Sequence, residues 1–155
     1  MKESSVRTTI KTKLSEWADV SPIENSAGTG MPDVNVSFNG KDYWLELKYR
    51  EEAPKRTATA VLKGYLRPQQ KVWMKKRLSK GSRNIYLFAR VEDEYFLIHI
   101  DKEEVIENLD SWSLDQLYTH SGWYGKPRQS KDSDWLDMLK IMENLSYGHL
   151  HCQER

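Results

Sequence analysis

The sequence predicts an α/β fold, one domain with a central mixed β-sheet and helices packed against it. Short runs of alternating apolar and polar residues recur along the first hundred positions, as strands with a buried face require. Around them lie stretches whose apolar residues return every three or four positions, the period of a helix that covers a sheet. With 155 residues, the chain is long enough for one hydrophobic core and too short for two comfortable ones.

In residues 3–17, Val6, Ile10, Leu14 and Trp17 stand at helical spacing, which predicts an amphipathic helix with Glu3 in its first turn. The following SPIENSAGTGMP combines Pro, Asn, Ser and Gly, the chemistry of a bend or tight loop. Alternation resumes in DVNVSF with Val34, Val36 and Phe38. Asn39-Gly40 is a hairpin turn signal, and DYWLELKY climbs back as the partner strand. A two-residue turn there pairs Phe38 with Lys41 and, counted back along both strands, sets Asp33 opposite Glu46 on one face. Lys48, two residues further on, shares that face.

EEAPKRTATAVLKGY has no clear period and reads as a long basic loop. RPQQKVWMKKRLSKG reads as a short basic helix, with Pro68 near its first position and Gly81 where it would stop. RNIYLFARV and EYFLIHI are two further strands separated by an acidic turn, and EEVIENL and SLDQLY suggest short helices. SGWYGKPRQSKDSD is expected to be an irregular excursion before a final helix over DWLDMLKIMENL.

A formal net charge of +1 conceals a segregation. Residues 46–83 hold twelve Lys or Arg against three Glu, a balance of +9, whereas residues 91–118 hold nine acids against one Lys, a balance of −8. The basic block is the footprint expected for a phosphate backbone; a solvated helix face with its balancing charges is the alternative on charge alone. No apolar run approaches the roughly 20 residues of a membrane span, and the amino-terminal stretch is polar, so a cytoplasmic, non-membrane protein is expected. Cys152 is the sole cysteine, which agrees with a reducing compartment.

Pro32-Asp33, then Glu46-Leu47-Lys48 thirteen residues later, resemble the PD-(D/E)xK nuclease motif. LRPQQKVW from Leu66 to Trp73, followed by Gly81 and a strand, is similar to the VRR-NUC branch and to small phage nucleases related to Holliday junction resolvases. The resemblance covers roughly residues 3–100. It implies a restriction-endonuclease-like core there, with 101–155 a C-terminal helical extension of the same domain, and a phage or bacterial origin.

The resemblance also implies a metal-dependent endonuclease acting on DNA, with branched DNA the expected substrate and a homodimer the expected assembly. Asp33 and Glu46 would each give a carboxylate oxygen to Mg²⁺ or Mn²⁺, with the Leu47 carbonyl and waters completing the shell. Lys48 would orient or help deprotonate the attacking water. A third carboxylate usually comes from the first helix of this family; Glu3 fits that place, and Glu24, nearer the motif, is its rival. The alternative reading of Glu3 is an acid favourably set at a helix amino terminus.

Gln70 matches the glutamine of the family's helix motif, and its alternative is a first-turn amide bonded to local backbone. Lys63, Arg67, Lys71 and Lys75, on the loop and helix flanking the site, are the expected phosphate contacts. The same core also serves restriction, homing and repair enzymes, and a noncatalytic binding module on this fold is the competing class, for which an intact acid–acid–lysine triad has no use.

Gly28 and Gly30 do not form a phosphate loop, because no Gly-Lys-Ser/Thr follows and the next element is a strand. His149, His151 and Cys152 have ligand chemistry but no fourth partner, and a disordered tail is the plainer expectation. Trp44 and Trp73 read as core, and Trp123-Tyr124 as core or as a platform for an unpaired base.

Overall fold

Helix α1 (Glu3–Leu14) opens the fold and buries Val6, Ile10 and Leu14 along one stripe. The strands that follow are β1 (Asp19–Pro22), β2 (Val34–Phe38), β3 (Lys41–Arg50), β4 (Ile85–Val91), β5 (Glu94–His99) and β6 (Ser121–Gly125). They form one six-stranded sheet in chain order. Every neighbouring pair is antiparallel except β3 and β4, which run parallel. The crossover between those two contains α2 (Pro68–Ser79). Helices α3 (Glu103–Asn108) and α4 (Leu114–His120), separated by a 3-10 turn at Leu109–Ser111, link β5 to β6, and α5 (Asp132–Gln153) closes the chain. This is a computed structural model that describes residues 3–24, 30–126 and 130–153, with side chains up to residue 148. The mixed α/β architecture is thus the one the sequence predicts.

Asn39 and Gly40 both take positive φ, 52° and 76°, the backbone that lets a two-residue turn match the twist of the strands it joins. Phe38 is therefore opposite Lys41 and Val34 opposite Leu45, the predicted register. Alternation then sorts β3 between two layers. Tyr43, Leu45 and Leu47 join Val34, Val36 and Phe88 in a core beneath α1 and α5. On the other face Ile85, Leu87, Phe96 and Ile98 pack with Met74 of α2, Ile106 of α3 and Leu117 of α4.

Two elements differ from the sequence reading. The stretch read as a bend begins only after β1, which pairs with β2 from Asp19↔Ser37 to Pro22↔Val34; four residues ending in proline are too few to show a period. SGWYG is not irregular but the edge strand β6, paired with β5 across a register shift at Leu97/Ile98. Two glycines and an exposed Tyr124 around the buried Trp123 hide its alternation. Residues 101–155 therefore add a strand to the sheet as well as the expected helices.

Candidate active site

Asp33 immediately precedes β2 and is tied from two sides. Its carbonyl accepts the Ile23 amide at 2.8 Å, and its Oδ2 accepts the Leu47 amide at 2.8 Å. The hairpin register thus brings the Asp33 carboxylate to β3, beside Glu46. Glu46 is 1% exposed, and its Oε2 has no hydrogen-bond partner. Burial first, then a hydrogen bond to Asp33 and that residue's charge, push the Glu46 carboxyl up to about 9, against the opposing pull of Lys48. Burial thus favours the neutral form of the Glu46 carboxyl.

Lys48 is 4% exposed and donates to Gln70 Oε1 at 3.3 Å. The same oxygen accepts the Arg67 amide at 2.9 Å, so Gln70 caps the start of α2 and holds the lysine with one atom. Both readings of Gln70, local amide and site residue, describe a single arrangement. Gly30 makes it possible from the other side. Its φ is +75°, and a Cβ there would lie 2.1 Å from the Gln69 carbonyl oxygen, so only glycine lets the chain approaching Asp33 pass against the first turn of α2.

Glu3 lines a cavity of about 170 Å³ with Ser4, Arg7, Asp33 and Leu47. Partial burial raises its pKa; Lys48 opposes that shift, Asp33 adds to it, and Arg67 opposes it. Glu24 is exposed and lines a different cavity, with Arg7, Lys11 and Val20. The structure thus brings Glu3, not Glu24, to the Asp33–Glu46 pair.

Among the described residues no three of His, Cys, Asp and Glu gather closely enough to hold a metal ion by themselves. The donor chemistry of Asp33 and Glu46 nonetheless fits a hard divalent cation. Two carboxylates lie side by side, the Glu46 one with an orphaned buried oxygen, and Asp33 lines a cavity with Leu47, so oxygens from water or main chain would have to complete the shell.

The expected phosphate contacts divide. Lys63 and Arg67 are exposed, and Arg67 lines a cavity of about 140 Å³ with Gly30, Asp33 and Gln70. Lys71 instead pairs with Asp110 at 2.6 Å, and Lys75 with Glu103 at 3.5 Å and Glu107 at 3.2 Å. The acidic block seen in the sequence folds against this side of the basic one, which linear charge counts could not reveal. Trp44 and Trp73 are half-buried rather than core. Sequence reading passed over Arg77, whose guanidinium lies over Trp73 and Trp44; its position four residues after Trp73 was the available signal. Gly28 and the side chains of His149, His151 and Cys152 lie outside the described residues. No helix among the described residues is long and apolar enough to cross a membrane. No protein-family model matches this sequence, and comparison with curated proteins gives no match either.

Proposed function

We propose that the chain is a metal-dependent DNA endonuclease of the PD-(D/E)xK type on a restriction-endonuclease-like core. The observation that carries this reading is the buried Glu46 carboxyl held against Asp33, beside a buried Lys48 fixed by the first turn of a basic helix. A sheet with no chemistry to perform gains nothing from burying an acid and an ammonium beside a second, half-exposed acid, since buried charge costs stability unless it is fully paired.

Asp33 and Glu46 would hold Mg²⁺ or Mn²⁺, which supplies Lewis acidity toward a phosphodiester and lowers the pKa of water. The chain's own residues do the rest. Lys48 offers N–H donors to the attacking water and to the charge that builds on phosphorus-bound oxygens, and Gln70 keeps that ammonium from turning away. Glu3, across the cavity, is placed to orient water through its carboxylate. Water would form the new P–O bond and release a proton to solvent, while the bond to the leaving sugar oxygen breaks and that oxygen takes a proton from solvent.

The test is cleavage of supercoiled DNA with Mg²⁺ or Mn²⁺. Asp33→Asn keeps an acceptor for the Leu47 amide while removing the charge, and is expected to lower the rate by at least ~100-fold, since even outer-shell changes at metal sites cost about 10–100-fold. Undiminished metal-dependent activity in that variant overturns the assignment. Linear duplex, single-stranded, flap and four-way DNA compared side by side test the expected preference for branched substrates, and sedimentation of the protein tests the homodimer. The absence of a three-ligand cluster among the described residues favours a second reading, a noncatalytic nucleic-acid-binding module. DNA binding with no cleavage under any divalent metal would select it.

A further inference from the structure

The two flanks of α2 have different surroundings. Lys71 and Lys75, four residues apart, meet the acids of α3 and the 3-10 turn, as described above. Trp73, Arg77 and Lys80 follow the same helical spacing on the opposite flank, toward β3. There Trp73 meets Trp44 edge-on with ring centroids 5.6 Å apart, and the Arg77 guanidinium lies 4.7 Å from the Trp73 ring centroid and 5.7 Å from that of Trp44. Arg77 and Lys80 are exposed, and neither forms an ion pair with a described acid.

This flank has a beginning and an end. Its first turn borders the cavity lined by Asp33, Arg67, Gln69 and Gln70. At its far end Lys80 and Arg83 line a cavity of about 390 Å³ with Asn84 and Tyr147. Asn35, opposite Trp44 in the sheet, and Ser21, opposite Asn35, share that face and are half-exposed. The twelve residues of α2 span about 18 Å, the rise of about five nucleotides of one strand at ~3.4 Å each.

We propose that this flank, formed by Trp73, Arg77 and Lys80 with Trp44 and Arg83, is the track that holds the phosphate backbone of the DNA strand leading away from the reacting phosphate, and that Lys71 and Lys75 take no part in it. The inference rests on the nuclease reading in that the Asp33–Glu46 pair marks where the strand is cut. An ammonium 2.6 Å from a carboxylate must give up that partner before it can meet a phosphate. A guanidinium laid over two indoles has its position fixed and its N–H groups still available, so less ordering is lost on binding. Cations without acidic partners between a polar strip of sheet and a basic pocket complement a polyanion.

The experiment measures binding of a fluorescein-labelled duplex oligonucleotide to the full chain carrying Asp33→Asn, across a salt series. Arg77→Gln with Lys80→Gln is compared with Lys71→Gln with Lys75→Gln. Each double variant removes two positive charges, so the long-range field changes equally and the difference reports contact. The first pair is expected to flatten the slope of log affinity against log salt by about 1.8, at ~0.9 per phosphate; the second should change it by less than half as much. Arg77→Lys, which keeps the charge, should restore most of its share, and this separates lost contact from disturbed folding, with circular dichroism as the check. Equal slope changes for the two pairs, or a larger one for Lys71 and Lys75, overturn the track, as does a parent chain that does not bind. The expected slopes with no metal-dependent cleavage once Asp33 is restored would leave this flank as a phosphate-binding surface and remove the nuclease reading, and with it the link to a reacting phosphate.

Discussion

A carboxylic acid buried beside a second carboxylate holds its proton above neutral pH, and Glu46, pushed up to about 9, makes the stability of the protein depend on pH. The unfolded chain releases this proton near the ordinary value of 4.5, whereas the folded chain holds it to about 9. Between those limits the folded state binds more protons, so stability falls as pH rises. Denaturant titrations are expected to show that decline, and Glu46→Gln, which keeps the shape and cannot ionise, should flatten it. A wild-type curve that is level or rises from pH 5 to 9 counts against the placement of this carboxyl. A divalent cation must displace the same proton. The rise in Tm on adding Mn²⁺ should therefore be larger near pH 8 than near pH 6 and largely absent in Asp33→Asn, as scanning fluorimetry would show.

At the scale of elements, the amino end of α2 is where loop, helix and strand meet. Gly30→Ala places a Cβ against the Gln69 carbonyl and a side chain at φ +75°. Backbone strain alone costs ~1–3 kcal/mol, and the clash pushes the turn that carries Gln70 away from Lys48. Chemical denaturation should register at least that loss, with cleavage falling further than stability explains; a variant as stable as the parent would contradict this contact. Lys71→Ala, by contrast, should cost about 1 kcal/mol or less, because its partner Asp110 is itself partly exposed. These two sites differ in how legible they were. Asn39-Gly40 announced the turn and with it the meeting of Asp33 and Glu46, because turn chemistry is local. Pro68 and Gly81 bounded α2 for the same reason. The Lys71–Asp110 pair and the Arg77–Trp73–Trp44 stack were not readable, since they depend on which flank of α2 meets α3 and which meets β3. That is decided by packing across the sheet, not by neighbours in the chain.

On the scale of the whole molecule, two apolar layers lie back to back on one sheet, and α5 closes the first of them through Trp135, Met138, Leu139 and Met142. Trp135 is 1% exposed and packs against Phe88, Tyr95 and Trp123. Trp135→Ala is expected to cost ~3–5 kcal/mol, measured by urea unfolding; a loss below 1 kcal/mol would mean that α5 is not seated as described. The order of the sheet bears on something else, the time the chain takes to reach it. Because the strands lie in chain order, the β2–β3 and β4–β5 hairpins can form from neighbouring residues, whereas β3 must wait for β4 across residues 51–84. Closing that loop costs entropy before any contact repays it. Leu87, on β4 opposite Glu46, belongs to that closure, whereas Trp135 lies on α5, outside the strands that make it. Leu87→Ala should therefore chiefly slow refolding and Trp135→Ala chiefly hasten unfolding in stopped-flow experiments. The parallel junction that carries the acid and the lysine on β3 would then be the step that limits how fast the protein assembles.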